Sequence, residues 1–379
     1  MDNLTHSLVG LAAAKAGLER TSPYATVLCV VAANAPDADV VTLFGGQWIY
    51  LEHHRGITHS IVGTLAISLI LPFLFYAGDF LWARLRGRPT RARLPGLLIS
   101  SLILSASHPL LDWTNSYGVR PFLPWSAKWF YGDLVFILDP YLWLSVGGAA
   151  FLSTANNRRR ILAWALLGAV LTGAIIFLPQ RAGTAYPSTS LVLWLAGLTG
   201  LIVAHRAHLA ARWGKSIAAA SLALVIVYWG ALAVIHSRAL VQAQAVAEGL
   251  ATRNGETTVR VAATPVLADP LTWRCLAETD GSVHRFDINL RREPDGSGSA
   301  RNIVSFEKPR GETARYVARA EKDRRAETFL GFARFPVARV VHSCFQETYV
   351  QFADLRYAEP GSAGQGGFAL EVLVAGDTR

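Results

Sequence analysis

A chain of 379 residues that is 52% apolar, with a mean hydropathy of +0.30, is too hydrophobic for an ordinary water-soluble enzyme and calls for a membrane as solvent. Lys and Arg number 36 against 27 Asp and Glu, for a net charge of +9. The basic residues cluster between apolar runs, so the charge is the positive-inside pattern and requires no nucleic acid.

The first apolar stretch, 5–17, has Asp2 where a secretory leader would carry Lys or Arg, and Lys15 interrupts its far end. It reads as retained. This stretch and the next, 24–35, each reach only about 20 Å at ~1.5 Å per residue, so they predict a short helical hairpin that penetrates the membrane incompletely or lies against the longer helices. Thr5-His6 puts an imidazole on the first helix, and Gly10 lies on the same face, where its missing side chain allows close packing. Asn34-Ala-Pro-Asp37-Ala-Asp39 closes the second. Carboxylates at i and i+2 repel unless a cation lies between them, one is protonated, or the loop is solvated.

His53-His54-Arg55-Gly-Ile-Thr-His59-Ser then packs three imidazoles and a guanidinium into the entrance of a long apolar segment, 57–77. Arg55 suits bidentate contact with phosphate or carboxylate, or service as an interfacial anchor. The next long segment, 94–111, carries His108-Pro-Leu-Leu-Asp112, an imidazole and a carboxylate four apart on one helix face and followed by Thr114-Asn-Ser-Tyr117. That is a metal-ligand spacing, and an internal His–Asp hydrogen bond is the other reading. Further long segments are expected at 134–152, 161–178, 188–204 and 217–235. Asp139-Pro140, inside the first of these, is a candidate ligand or general base, or a structural helix break.

About six long transmembrane helices plus the short hairpin thus make an α-helical polytopic membrane domain, 1–236. If the helices alternate, the basic loops Arg84–Arg93, Arg158–Arg160 and Arg206–Lys215 fall on one side, which should be cytoplasmic. His6, Asp37, Asp39, His53, His54, His59, His108 and Asp112 then arrive together at the opposite, extracytoplasmic end. The tail, 237–379, is expected on that side as a small, mainly β domain. It opens with a helix at 237–250 and continues in strands at 257–262, 273–278, 282–290, 337–344, 348–356 and 368–374, with turn-rich stretches at 293–299 and 361–367. Cys275 and Cys344 could form one disulfide there or remain two buried thiols.

Ionisable groups beside apolar helices are costly, and their grouping points to function. His6, Asp37, Asp39, His59, His108 and Asp112 are the candidate metal ligands, with His54, Arg55 and Asp139 as candidate catalytic groups. Carboxylates with imidazoles and no nearby Cys suit one or two divalent ions, Zn²⁺ first and Mn²⁺ or Fe²⁺ as alternatives.

Met1 through Gly10 with Thr5-His6, Asn34-x-Pro-Asp-x-Asp39, His54-Arg-Gly-Ile-Thr-His-Ser60 and His108-x-x-x-Asp112-x-x-x-Ser-Tyr-Gly118 resemble the YdjM-like family of inner-membrane proteins, classed as predicted metal-dependent hydrolases. The resemblance covers about the first 140 residues and implies a multi-pass protein of the bacterial inner membrane with metal-dependent hydrolase activity. A site among apolar helices suggests a lipid phosphoester or related amphipathic ester, and Arg55 suggests an anionic one, so membrane lipid is the expected partner. The alternative is a non-hydrolytic metal-binding or transport protein with a structural metal site.

Overall fold

A computed structural model of the chain describes residues 1–181, 188–291, 300–342, 347–362 and 366–374. They fall into two compact units: Met1–Ala38, Arg55–Val234 and Pro265–Pro270 form one, and Asp39–His54, Ile235–Thr264 and Leu271–Arg379 form the other.

The helices in chain order are α1 (Asn3–Ala16), α2 (Ala25–Asn34), α3 (Gln47–His53), α4 (Ile61–Leu85) and α5 (Leu94–Trp113). After these come α6 (Pro140–Leu142), α7 (Gly148–Thr154), α8 (Arg158–Arg181), α9 (Ser188–Arg206) and α10 (Leu209–Asn254). Among the described residues six stretches are long and apolar enough to cross a membrane: Ala25–Gly45, Ile61–Leu85, Leu94–Trp113, Arg158–Leu178, Ser188–Arg206 and Leu209–Asn254. The chain is a multi-pass membrane protein. Outward side chains on α8 such as Leu162, Leu166 and Val170 are more than half exposed, as a lipid-facing helix requires.

Two of the expected segments take different forms. The stretch 24–35 does not stop at Pro36; it tightens into a 3₁₀ helix, Ala35–Gly45, and the two together make one membrane-length run. The stretch 134–152 is not one long helix. Helical structure begins only at Pro140, because Asp139 caps it and Pro occupies the first position, and a π turn at Trp143–Gly147 joins α6 to α7. Those 15 residues rise about 22 Å at ~1.5 Å each. They are apolar because protein surrounds them: Leu142, Trp143, Val146 and Ala150 share a core with Leu8, Val9 and Ala12 of α1. Close packing of α1 on α2 depends on Gly10, where a Cβ would lie 2.7 Å from the Cys29 carbonyl oxygen.

In the other unit the expected tail helix at 237–250 is the end of the 46-residue α10. The polar step His236-Ser237-Arg238 changes the environment of the helix but supplies no stop signal. Strands β1 (Thr258–Val266), β2 (Asp269–Thr279), β3 (Ser282–Asn289) and β4 (Ala300–Glu307) form one sheet in sequence order. Alternate residues Trp273, Cys275 and Ala277 of β2, with Phe286 and Ile288 of β3, pack against Ala239, Ala243 and Ala247, spaced four apart on α10. Helices α11 (Gly311–Ala320) and α12 (Arg324–Phe332) share a core with the antiparallel sheet of β5 (Pro336–His342), β6 (Thr348–Asp354) and β7 (Ala369–Val374). β4, α11 and α12 were not expected; the helices are short and charged, and their apolar faces are a few residues each. Cys275 is a free buried thiol, whose acidity burial pushes down by raising its pKa. Cys344 and the turn at 293–299 lie outside the described residues, as does part of the turn at 361–367.

Candidate metal centre

Four side chains of the membrane unit converge. His108 and Asp112 project from one face of α5, His59 closes the 3₁₀ turn Ile57–His59, and Asp37 lies in the first turn of Ala35–Gly45. His59, His108 and Asp112 are buried, whereas the Asp37 side chain keeps 16% of its surface exposed. The His59 and His108 Nε2 atoms are 3.1 Å apart. Asp37 Oδ1 lies 3.3 Å from His59 Nε2 and 3.4 Å from His108 Nε2. Asp112 Oδ2 lies 3.3 Å and 3.5 Å from the same two nitrogens.

These distances suit a cation. Donors about 2.1 Å from one centre are separated by roughly 3.4 Å at tetrahedral angles and roughly 3.0 Å at right angles. The protonation pattern agrees. His108 Nδ1 lies 2.6 Å from the Ala33 carbonyl oxygen, which can only accept, so Nδ1 carries the proton; this is the arrangement in which a neutral ring would offer Nε2 to a metal. Asp112 Oδ2 is buried without a hydrogen-bond partner among the described residues. Two carboxylate oxygens and two imidazole nitrogens that face one another are a hard oxygen and nitrogen donor set of the kind that binds divalent ions. The donor set therefore fits a divalent metal.

A second set of contacts holds the ligands in place. Thr58 Oγ1 is 3.0 Å from His59 Nδ1, and Asn3 Nδ2 donates to Asp37 Oδ2 at 2.9 Å. The Arg55 guanidinium, 2% exposed, donates to Asp112 Oδ1 at 3.0 Å, to Asn115 Oδ1 at 3.0 Å and to the Gly118 carbonyl at 3.3 Å. It stacks 4.7 Å over the Tyr117 ring. Of the partners expected for Arg55, phosphate or carboxylate, it has the carboxylate, within the protein. The Met1 amine also contacts Asp112 Oδ1.

The remaining expected residues are not among these four donors. His6 stacks face to face on His108, with centroids 3.7 Å apart, and its Nε2 is 3.4 Å from Asp112 Oδ1. It borders the four-donor group without belonging to it, and neither ring nitrogen has a hydrogen-bond partner among the described residues. Asp39 and His54 pair in the second unit at 3.1 Å, with His54 stacked on Tyr50. Asp139 is also outside the four. Its Oδ1 accepts the Tyr141 and Leu142 N–H groups, and its Oδ2 accepts the Tyr228 hydroxyl at 3.0 Å. Of its expected readings, ligand, general base or structural helix break, the geometry shows the carboxylate capping the helix at Pro140 with both oxygens engaged. Asn3, Asn115 and the Ala33 carbonyl were missed. Asn115 lay in the polar run noted after Asp112, but a backbone acceptor such as Ala33 leaves no mark in a sequence.

Fold and site together define a multi-pass membrane protein with a buried two-His, two-Asp cluster able to hold a metal ion. Residues 1–183 match the family described as YdjM inner membrane protein, so over that stretch the resemblance carried by the four motifs is shown. The chain is also similar to the uncharacterized protein YfhP of Bacillus subtilis (strain 168), 30% identical over 157 residues, which is 38% of this chain. The chain spans 44% of the length of that curated relative. No solved structure matches it.

Proposed function

We propose that the chain is a membrane-bound metal-dependent hydrolase acting on a lipid phosphoester or related amphipathic ester. The observation that supports this most is the convergence of His59, His108, Asp37 and Asp112 in or beside membrane-length helices, with the Asp37 side chain still partly exposed. Bound there, Zn²⁺, Mn²⁺ or Fe²⁺ would polarise a substrate oxygen and make water a nucleophile at neutral pH. The chain's own groups prepare the site: Arg55 fixes Asp112, the Ala33 carbonyl fixes His108, and Asn3 fixes Asp37. Asp37, the least buried carboxylate, is the group best placed to receive a proton from water. Arg55 is then a positioning residue.

The basic loops Arg84–Arg93, Arg158–Arg160 and Arg206–Lys215 support an orientation with those loops cytoplasmic. This requires 134–154 to cross. About 22 Å of helix from Pro140 plus roughly 3.3 Å for each extended residue before it suffices for a ~30 Å core. The ligand-bearing ends, and by chain parity the start of the tail, would then be extracytoplasmic.

A second reading has its own support. Four protein ligands can close a tetrahedral zinc site, the form of a structural ion, whereas a six-coordinate metal would keep positions for water and substrate. The test is to purify the protein in detergent, identify the bound metal, and assay turnover of phospholipid classes for wild type and Asp112→Ala. Turnover that disappears in the variant supports hydrolysis. Stoichiometric metal with no turnover of any lipid class supports the structural site.

A further inference from the structure

The segment 118–131, Gly-Val-Arg-Pro-Phe-Leu-Pro-Trp-Ser-Ala-Lys-Trp-Phe-Tyr, contains five aromatic residues, two cations and no acid. Its position relative to the membrane is fixed by backbone bonds to the ends of two spans. The Ile61 N–H, at the start of α4, donates to the Pro121 carbonyl at 3.0 Å. At the end of α5, the Gly132 N–H donates to the Trp113 carbonyl and the Leu134 N–H to the Thr114 carbonyl, both at 2.7 Å. A loop tied to the ends of two membrane-length helices lies at the level where hydrocarbon gives way to headgroups.

The loop is built rather than slack. Val119 and Phe130 exchange both backbone hydrogen bonds, Arg120 stacks 4.5 Å over Trp129, and Gly118 adopts φ 90° with Tyr131 against it. At its tip Trp125 is 79% exposed and Phe122 is 45% exposed, with Lys128 exposed beside them. Exposed Trp and Phe are unfavourable in water and favourable at the membrane interface, where one part of the ring meets acyl chains and the rest meets headgroups. A lysine at that depth faces lipid phosphates.

The geometry points to a lipid-docking loop: Phe122 and Trp125 enter the headgroup–acyl boundary, and Lys128 pairs with the phosphate of an anionic phospholipid. The loop begins at Gly118, whose carbonyl accepts from Arg55, the residue that holds the metal-site carboxylate of Asp112. A lipid docked here would therefore lie on a segment continuous with the wall of the site. The inference stands on membrane location and loop geometry, and it survives even if no hydrolysis occurs.

The test uses the full chain in nanodiscs of phosphatidylcholine, with or without phosphatidylglycerol. A bimane fluorophore is placed by Trp125→Cys, and in a second protein by Val170→Cys on the lipid-facing side of α8. Quenching is read with spin labels at the headgroup or at the chain end. The expected result is that position 125 is quenched most by the headgroup label and position 170 most by the chain-end label. Spin-labelled phosphatidylglycerol should quench position 125 about fivefold more effectively than its phosphatidylcholine counterpart, matching the ~1 kcal/mol that one basic residue contributes near an anionic surface. That preference should vanish when Lys128→Glu is added. No quenching at 125 by either label, whether water or a second protein copy covers the tip, overturns the docking loop. An unchanged lipid preference in Lys128→Glu overturns the phosphate contact.

Discussion

Asp112 turns its two oxygens to different neighbours. Oδ1 meets the Arg55 guanidinium at 3.0 Å, while Oδ2 faces the two imidazoles and has no hydrogen bond among the described residues. Asp112→Ala removes a candidate ligand and also leaves Arg55 as a buried cation without its carboxylate. A loss of about 3–5 kcal/mol is expected from breaking such a pair, together with loss of bound metal, as read by thermal unfolding in detergent and by elemental analysis. Asp139→Ala is the contrasting case. Its carboxylate caps the helix at Pro140, so a cost of roughly 0.5–2 kcal/mol with metal content unchanged is expected from the same two measurements. The sequence placed both Asp residues in the membrane domain as functional candidates. What separates them is the company each oxygen keeps, and that depends on Tyr228 and Arg55, which lie 89 and 57 residues away along the chain.

At the scale of elements, the four motifs were legible because each is a short-range pattern. His108 and Asp112 share a helix face by their spacing, and His59 stands in a cluster of imidazoles at the entrance of a long apolar segment. Two features were hidden: the 3₁₀ extension of α2 and the delayed start of the helix at Pro140. Pro36 and two carboxylates look like the end of a membrane segment, and an unbroken apolar run gives no sign that its helix starts only at Pro140. The junction of His59 with α4 also relies on a glycine. A Cβ at Gly63 would lie 1.9 Å from the Ile57 carbonyl oxygen, inside the turn that presents His59, whereas one at Gly78 on the same helix would meet nothing within 4 Å. Gly63→Ala should therefore cost about 1–3 kcal/mol and weaken metal retention. Gly78→Ala should be neutral or stabilising by up to ~1 kcal/mol. Thermal unfolding of the pair, with metal content, checks both.

For the molecule as a whole, the apolar composition gave the membrane location and the basic loops suggested an orientation, because both follow from bulk solvation rather than from particular contacts. The division into two units was harder to read. Ala268, far along the sequence, accepts through its carbonyl from Ser190 and Tyr141 of the membrane unit, and nothing local marks that return. The orientation can be checked by single cysteines in the loops. One placed in the 86–92 loop should react with a membrane-impermeant maleimide only after cells are opened, and the opposite result would invert the topology. Metal should also be linked to stability, since an ion that binds only the folded chain raises its melting temperature, and chelation should lower it.

The most direct measurement is metal content per chain of the purified full-length protein, made in parallel on His59→Ala, Asp112→Ala and Asp139→Ala. One tightly held divalent ion is expected in wild type and in Asp139→Ala, and its loss is expected in the other two. A folded wild type without metal, or metal retained in both His59→Ala and Asp112→Ala, would contradict the assignment of the cluster as a metal centre.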